Sequence, residues 1–285
     1  MQVPVTFPPQ SQPKQPGLEW ILKPRPVSQD PDYKGTDKLK DRVAIITGGD
    51  SGIGRAVAYA FAAEGADITI VFYDEFKDAD ETKREIEAKG RRCLALAGDV
   101  KNPAFCRRVV RETLKEFGNI NILVNNAAVQ YAQDSITDIT DEQMETTFRT
   151  NIFPLFYFCK AALPHMECGD TIINTSSITA YQGEKTLLDY STTKGAIVSF
   201  TRSLALQLVN QGIRVNAVAP GPIWTPLNPA CYGPEHIARF GLDTPMKRAG
   251  QPVELAPAYV YLASADSTYV TGQTLHINGG VIVNG

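Results

Sequence analysis

From about residue 41 onward, apolar and polar positions alternate between the period of a strand and that of a helix. Val43–Thr47 is a short β-branched run, followed by a glycine turn and a helical stretch from about Ile53 to Glu64 that closes at Gly65. Asp67–Phe72 predicts a second strand, and Asp80–Lys89 a charged amphipathic helix stopped by Gly90. Cys93–Ala97 predicts a third strand ending at Gly98-Asp99, a helix follows through about Phe117, and Ile120–Asn125 predicts a fourth strand. Thr171–Thr175, Arg214–Val218 and Thr274–Ile277 read as three more, with helices around Asp141–Leu163, Tyr190–Asn210 and Val253–Ala263. Strands alternating with helices in this way predict an α/β fold, a single doubly wound parallel sheet of Rossmann type with about seven strands and helices on both faces.

Residues 1–40 break that rhythm. They hold eight prolines (Pro4, Pro8, Pro9, Pro13, Pro16, Pro24, Pro26 and Pro31) out of 19 in the chain. Proline fixes φ and removes an amide donor, so this stretch is neither a long helix nor a central strand. It reads as an N-terminal arm to a domain spanning 41–285. Composition leaves two states open for it: a partly disordered tail, or a segment whose Phe7, Leu18, Trp20, Ile21 and Leu22 pack across a neighbouring surface such as another subunit.

Composition narrows the function. The chain of 285 residues carries 28 basic and 31 acidic side chains, a net charge of −3, with 43% hydrophobic residues. That balance is globular, and it argues against a protein dedicated to nucleic acid or to an anionic membrane, which need clustered positive charge. The five cysteines (Cys93, Cys106, Cys159, Cys168, Cys231) are odd in number, scattered and form no CxxC pair; His165, His236 and His276 are equally dispersed. A disulfide framework or metal site is not expected, and a reducing compartment is. The start MQVPVTFPPQSQPKQPG lacks the pattern of a secretory leader, and no apolar run reaches the ~18 residues of a membrane span. A cytoplasmic protein is the expectation.

Chemistry-bearing segments fall at the carboxyl ends of the expected strands, where open parallel sheets bind ligands. The first is Thr47-Gly48-Gly49-Asp50-Ser51-Gly52-Ile53-Gly54, a G-x3-G-x-G turn between a strand and a helix. Such glycines let a pyrophosphate approach backbone amides at the positive helix end, although they can equally serve a tight turn alone. The second is Asn125-Asn126-Ala127-Ala128 after the fourth strand, which read by itself can be a turn bonding its own backbone. The third is Tyr190-Ser191-Thr192-Thr193-Lys194, preceded thirteen residues earlier by Ser177. Spacing i, i+4 puts phenol and ammonium on one helical face, and a nearby Lys⁺ is expected to lower the tyrosine pKa toward neutrality, giving a general acid/base for an alcohol oxygen.

In this order and spacing, the glycine turn, NNAA, Ser177, Tyr190-x3-Lys194 and Pro220-Gly221-Pro222-Ile223 resemble the short-chain dehydrogenase/reductase family over roughly residues 41–285. Within it, the overall pattern is most similar to a bacterial glucose/ribitol dehydrogenase-like and aldehyde-reductase-like branch. The resemblance implies an NAD(P)-dependent oxidoreductase acting on a small alcohol/carbonyl pair, assembled as a homo-oligomer, commonly a homotetramer. It implies that Tyr190 exchanges the proton, that Lys194 tunes it and bonds the nicotinamide ribose, and that Ser177 holds the substrate oxygen. Asn151 matches the family's asparagine on a water-linked proton path. Gly48, Asp50, Ser51, Gly52, Ile53 and Gly54 would form the phosphate turn, Asp99 and Val100 would meet the adenine end, and Asn125 and Ala127 the ribose region. Ile223 and Thr225, after the Pro220-Gly221 turn, would meet the carboxamide and phosphates.

The choice of dinucleotide turns on the end of the second strand, where an acid reads the ribose 2′-hydroxyl and basic side chains read a 2′-phosphate. The acid position falls near Phe72, the glycine turn carries Asp50-Ser51 without a basic residue, and Asp74 and Glu75 would repel a phosphate. NAD is therefore expected, with NADP as the other possibility. A segment from about Trp224 to Arg248 is expected to be a substrate lid, apolar through Leu227, Pro229, Tyr232, Ile237, Phe240 and Leu242 and mobile at Gly233 and Gly241. Two other readings stay open: a 3-oxoacyl thioester reductase, for which Lys247-Arg248 is a thin basic patch, and a dinucleotide-sensing protein without turnover.

Overall fold

A parallel strand covered by helices on both faces needs apolar residues at nearly every position, and the central strands here have them. In the computed structural model, which describes residues 3–283, the elements run β1 (Val43–Thr47), α1 (Gly52–Ala63), β2 (Asp67–Phe72), α2 (Phe76–Ala88), β3 (Cys93–Ala97), α3 (Pro103–Phe117) and β4 (Ile122–Asn125). They continue through α4 (Asp141–Asn151), α5 (Phe153–Ala162), β5 (Thr171–Thr175), α6 (Thr179–Gln182), α7 (Leu188–Leu208), β6 (Arg214–Pro220), α8 (Pro234–Ala238), α9 (Pro252–Ala263) and β7 (Thr274–Ile277). The sheet order is β3-β2-β1-β4-β5-β6-β7, every pairing parallel. Strand order reverses between β1 and β4, which opens a crevice at their carboxyl ends.

Alternation along each strand divides the core in two. Ala44 and Ile46 of β1, with Ile68 and Ile70 of β2, pack against α1, α2 and α9 through Val57, Phe61, Ile86, Leu255 and Tyr259. Ile45, Val71, Leu123, Ile172 and Val215 face the other way, onto α3, α5 and α7 through Phe105, Val109, Phe158 and Leu208.

Five of the seven strands coincide with their sequence ranges; β4 starts later, at Ile122, and β6 runs on to Pro220. Asn121 stays outside β4, its side chain spent on the Val43 amide and on Asp170. The helix expected over Asp141–Leu163 is two helices, broken at Ile152. Pro154 causes the break, since its ring nitrogen cannot donate to the preceding turn and its ring crowds it. α2 starts four residues before the expected Asp80, because Phe76 packs edge-on against Phe72 at 5.3 Å and so anchors a first turn that its charged sequence hides.

The arm lies on its own domain. Phe7 and Leu22 are buried and form a third apolar cluster with Trp224, Ile237, Phe240 and Ala249. Phe7 stacks on Trp224 at 4.0 Å, and the indole N–H of Trp224 donates to the Pro24 carbonyl at 2.9 Å. Val27 joins α9, its amide donating to the Gln251 side chain and its carbonyl accepting from the Val253 amide. Trp20 and Ile21, by contrast, remain exposed, with Lys77 seated over the Trp20 ring.

Beneath the arm is a buried cation. Arg55 of α1 is 2% exposed; its guanidinium donates to the Glu19 carboxylate at 2.7 Å, to the Asp50 carbonyl at 2.8 Å and to the Asp78 carbonyl at 2.9 Å. Glu19 and Asp78 are as deeply buried as Arg55. Removing one partner of a buried ion cluster leaves uncompensated charge, at a cost of about 3–5 kcal/mol. Arg55→Ala is therefore expected to lower the unfolding free energy by about that amount in urea denaturation. A loss below about 1 kcal/mol would show that the cluster is hydrated and dispensable.

Candidate functional site

The crevice is built from loop ends that the fold has no choice but to bring together. β1 ends in a turn in which Gly48 (φ 63°) and Gly52 (φ 51°) are left-handed, a conformation that disfavours any side chain. Gly54 lies under this turn, where a Cβ would run into the Gly48 carbonyl and the Asn126 side chain. Asn126 ties the turn to its neighbours: its amide donates to the Thr47 and Gly48 carbonyls at 3.1 and 3.2 Å, and its oxygen accepts from Thr175 Oγ1 at 3.2 Å. Thr47 Oγ1 in turn accepts the Asn126 and Ala127 amides at 2.9 and 3.0 Å. One asparagine thereby fixes the spacing between the ends of β1, β4 and β5.

From the next strand ends come the reactive side chains. Ser177 follows β5, and Tyr190 and Lys194 project from the first two turns of α7. Lys194 Nζ donates to the Thr175 carbonyl at 2.8 Å and lies 5.3 Å from the centre of the Tyr190 ring. Its backbone carbonyl accepts from Ser176 Oγ at 2.9 Å, which pins α7 to the end of β5. Asp189 anchors the same helix to α4, accepting from Gln143 Nε2 at 3.1 Å and Thr147 Oγ1 at 2.8 Å.

A cavity of about 1290 Å³ occupies the crevice. Gly48, Asp50, Ser51, Gly52 and Ile53 line it together with Asp99, Val100 and Ala127 and with Pro220, Gly221, Ile223 and Thr225; Ser177, Tyr190 and Lys194 face the same space. Four residues singled out in the sequence stand off it. Gly54 is buried beneath the turn. Asn125 is turned into the sheet, donating to Asn174 Oδ1 at 2.9 Å. Asn151 clasps Val129, accepting its amide and donating to its carbonyl, both at 2.9 Å, and also donates to Thr193 Oγ1 at 3.1 Å. Asp74 faces away, paired with Lys14 of the arm at 2.7 Å.

Sequence reasoning named Glu75 only as an acid that would repel a phosphate, and it missed Gln15 and several polar residues of the cavity. Glu75 is buried at the end of β2 and lines the cavity; its Oε2 accepts the Tyr73 and Asp74 amides at 3.1 and 3.2 Å, while its Oε1 has no partner. Burial, the charge of Asp50 and the bond to Asp74 push its carboxyl up to about 8; burial likewise pushes Asp50 up to about 6. Gln182, Glu184, His236, Arg239 and Asp243 line the same cavity as Ser177. These residues lie far apart in sequence and in no recognisable pattern, so no local signal marks them.

The lid segment is packed more firmly than expected. Trp224 and Ile237 are buried against the arm; Phe240 belongs to the same cluster and also lines the cavity, as do Leu227 and Tyr232. Gly241 (φ 85°) is a close-packing glycine, since a Cβ there would strike the Ala249 backbone.

Electrostatics at the pair also differ from expectation. Burial pushes the Tyr190 phenol upward, opposed by its hydrogen bond to Ser177, and burial lowers the Lys194 ammonium to about 7. Desolvation thus outweighs the attraction that was expected to make a phenolate, because an amine that is half neutral at pH 7 has little charge to lend.

This arrangement fits a dinucleotide: a glycine cradle at a helix start, an orphaned carboxyl oxygen at the end of β2, and a hydroxyl, a phenol and an amine converging at the far end. A family model described as enoyl-(acyl carrier protein) reductase matches residues 48–282. An oxidoreductase of Bacillus subtilis, YhxC, is 61% identical over 280 residues, 98% of each chain. The glucose and ribitol dehydrogenase of Daucus carota is 52% identical over 98% of each chain, and the NADPH-dependent aldehyde reductase 1 of Arabidopsis thaliana is 51% identical over 96% of this chain and 98% of its own. Among solved structures, a short-chain dehydrogenase from Burkholderia cenocepacia in complex with NADP superposes with a TM-score of 0.81 at 31% identity, covering 85% of this chain and 98% of that one. One from Mycobacterium paratuberculosis bound to NAD gives 0.77 at 30% identity, with the same coverage.

Lys194 makes a stability prediction with a definite sign. With a folded pKa of about 7 against an ordinary 10.5, it binds fewer protons folded than unfolded between those values, so stability rises with pH across that window. Lys194→Met removes this dependence. Urea denaturation from pH 7 to pH 10 is expected to show the difference in stability moving steadily in favour of the unsubstituted protein. A difference that stays constant over that range would mean the ammonium is solvated.

Proposed function

Because the chain belongs to the short-chain dehydrogenase/reductase family, we propose that it is a carbonyl reductase that uses a nicotinamide dinucleotide to reduce a small aldehyde or sugar carbonyl. The observation that carries this reading is the convergence of Ser177, Tyr190 and Lys194 in the cavity that begins at the glycine turn. When bound, the dinucleotide supplies or accepts a hydride at its nicotinamide ring. The chain does the rest. Ser177 Oγ holds the substrate oxygen, and the Tyr190 phenol, kept protonated by burial, donates the proton to that oxygen as charge develops on it. Lys194 sits beside the ring to return the proton. A protonated phenol at neutral pH favours reduction, and oxidation of the alcohol requires more alkaline conditions.

Polar groups of the cavity, Gln182, Glu184, His236 and Arg239, suit a polyhydroxylated substrate, in keeping with relatives named for glucose, ribitol and aldehydes. A thioester substrate on an acidic carrier is supported by the description of the family model, but Arg248 of the basic patch is held by Glu254 at 2.6 and 2.7 Å. No helix among the described residues is long and apolar enough to cross a membrane, and we place the enzyme in the cytoplasm. The exposed Phe153 and Phe156 of α5 and Leu206 of α7 support assembly as a homo-oligomer.

Regarding the cofactor, the two acids behind the expectation of NAD lose their force. Asp74 is neutralised by Lys14 outside the cavity, and Glu75 is protonated below about pH 8. A protonated Glu75 no longer repels a 2′-phosphate, and NADPH is the cofactor we assign at neutral pH; the aldehyde reductase relative and the NADP-bound neighbour lend support.

Tyr190→Phe is expected to lower kcat by about 10²–10⁴-fold while dinucleotide binding persists, since only the transferable proton is lost. Unchanged turnover in a nicotinamide absorbance assay would remove Tyr190 from the chemistry. Glu75 predicts that the ratio of Kd for NADPH to Kd for NADH rises between pH 7 and pH 9, as its carboxylate forms and repels the 2′-phosphate. Glu75→Gln should flatten that rise. An unsubstituted protein whose ratio does not change with pH would contradict the assignment.

A further inference from the structure

The N-terminal arm touches the glycine turn and the loops after β4 and β6 that surround the cavity. Gln12 donates its amide to the Pro229 carbonyl at 2.7 Å, and Gly17 lies so close to the Pro226 carbonyl that no Cβ fits between them. Gln15 grips the loop after β4 at both backbone groups of Gln130, accepting its amide at 3.0 Å and donating to its carbonyl. Pro9, Gln15, Pro16 and Gly17 themselves line the cavity. The arm is thus a wall of the site, tied to the lid on one side and the end of β4 on another.

Its third attachment is at the glycine turn. α1 begins at Gly52, and Ser51, in the N-cap position, makes no side-chain cap. Glu19 makes it from the arm: its Oε2 accepts the Gly52 amide at 2.6 Å while its Oε1 accepts from Arg55 at 2.7 Å. The Glu19 amide donates to Asp78 Oδ2 at 2.7 Å, so the arm's backbone is locked to α2 at the same point. Glu19 is 1% exposed and does not line the cavity; it holds the turn from behind, leaving Ser51 and Ile53 facing inward.

We propose that residues 7–27 form a strap that is a working part of the dinucleotide site, with Glu19 as the positioning residue that fixes the glycine turn in its binding geometry. The inference rests on the cavity being a dinucleotide site. It requires reciprocity: if the docked strap favours the dinucleotide, the dinucleotide favours the docked strap by the same factor.

The test uses the full chain and two probes, NADPH and NADH, titrated by nicotinamide fluorescence in the absence of substrate. Glu19→Ala is expected to raise the Kd of both by about tenfold, and Glu19→Gln, which retains an acceptor for Gly52, by about threefold, within the usual range of coupling between sites. KM for dinucleotide should follow Kd, with a smaller change in kcat, whereas simple loss of folded protein would lower kcat and leave Kd alone. In the unsubstituted protein, hydrogen exchange at the amides of Leu18–Leu22 should slow when NADPH is added. Kd values within twofold for folded Glu19→Ala would overturn the proposal. So would tighter binding by Glu19→Gln, which would show the carboxylate opposing the phosphates. If Glu19→Ala fails to fold, Glu19→Gln and the exchange measurement decide, and exchange indifferent to NADPH counts against the strap. Failure of the unsubstituted protein to bind either dinucleotide would overturn the functional reading and this inference with it; normal binding that is indifferent to Glu19 overturns this inference alone.

Discussion

A guanidinium withdrawn from water must have its donors met by the protein, because stranded buried charge costs more than most single contacts return. Arg55 meets this demand with groups from four places in the chain: Glu19 in the arm, the Asp50 carbonyl in the glycine turn, Asp78 in α2, and Glu81 at 3.4 Å one turn further along. None of these segments could shift far without breaking a bond to the cation. The turn that would receive a pyrophosphate is thereby fixed by charge from below, in addition to the backbone preference of its glycines. Burial raises the Glu19 carboxyl above its usual range, outweighing the downward pull of Arg55 and the Gly52 amide.

The sheet was legible because its information is local. Val43–Thr47, Asp67–Phe72, Cys93–Ala97, Thr171–Thr175 and Thr274–Ile277 each carry their own apolar run and their own stop signals, so strand limits survive without knowledge of the neighbours. The glycine turn and the Tyr190/Lys194 pair were legible for the same reason, being short motifs within one strand–turn–helix or one helical face. What stayed hidden depends on contacts across the chain. Trp224 reads as a lid residue until Phe7, more than two hundred positions earlier, is found stacked on it. Asp74 reads as a cofactor acid until Lys14 is found beside it. Glu75 reads, like its neighbour, as an acid that would repel a phosphate, and only its burial between Asp50 and Asp74 reveals a carboxyl pushed up to about 8.

Burial also separates a motif from its textual meaning at α7. Spacing alone puts a phenol beside an ammonium and suggests a phenolate. The same helix is pressed so closely onto β5, through Ser176 to the Lys194 carbonyl and Lys194 Nζ to the Thr175 carbonyl, that both groups lose their hydration. Each then shifts toward its neutral form, the phenol upward and the amine downward. The phenol holds its proton at rest, while the amine is divided between its two forms near pH 7. Burying Lys194 gives up stability, since an amine held at about 7 has lost part of its favourable hydrated charge.

The arm and the lid settle the architecture as a whole. A proline-rich segment lacks the amides to form a ladder, so it can be ordered only by side chains that reach elsewhere and by surfaces that accept it. Phe7 and Leu22 complete an apolar cluster that Trp224, Ile237 and Phe240 could not close by themselves, while Glu19 answers the Gly52 amide behind the glycine turn and Gln15 the backbone of Gln130 beside the cavity. The lid is therefore not a free flap over a finished site. It shares its core with the strap, the strap shares its charge with the glycine turn, and the turn shares Asn126 with the strand end that precedes Ser177. A ligand entering the cavity meets one connected structure, in which the dinucleotide end and the reactive end are held in register by bonds that run behind both.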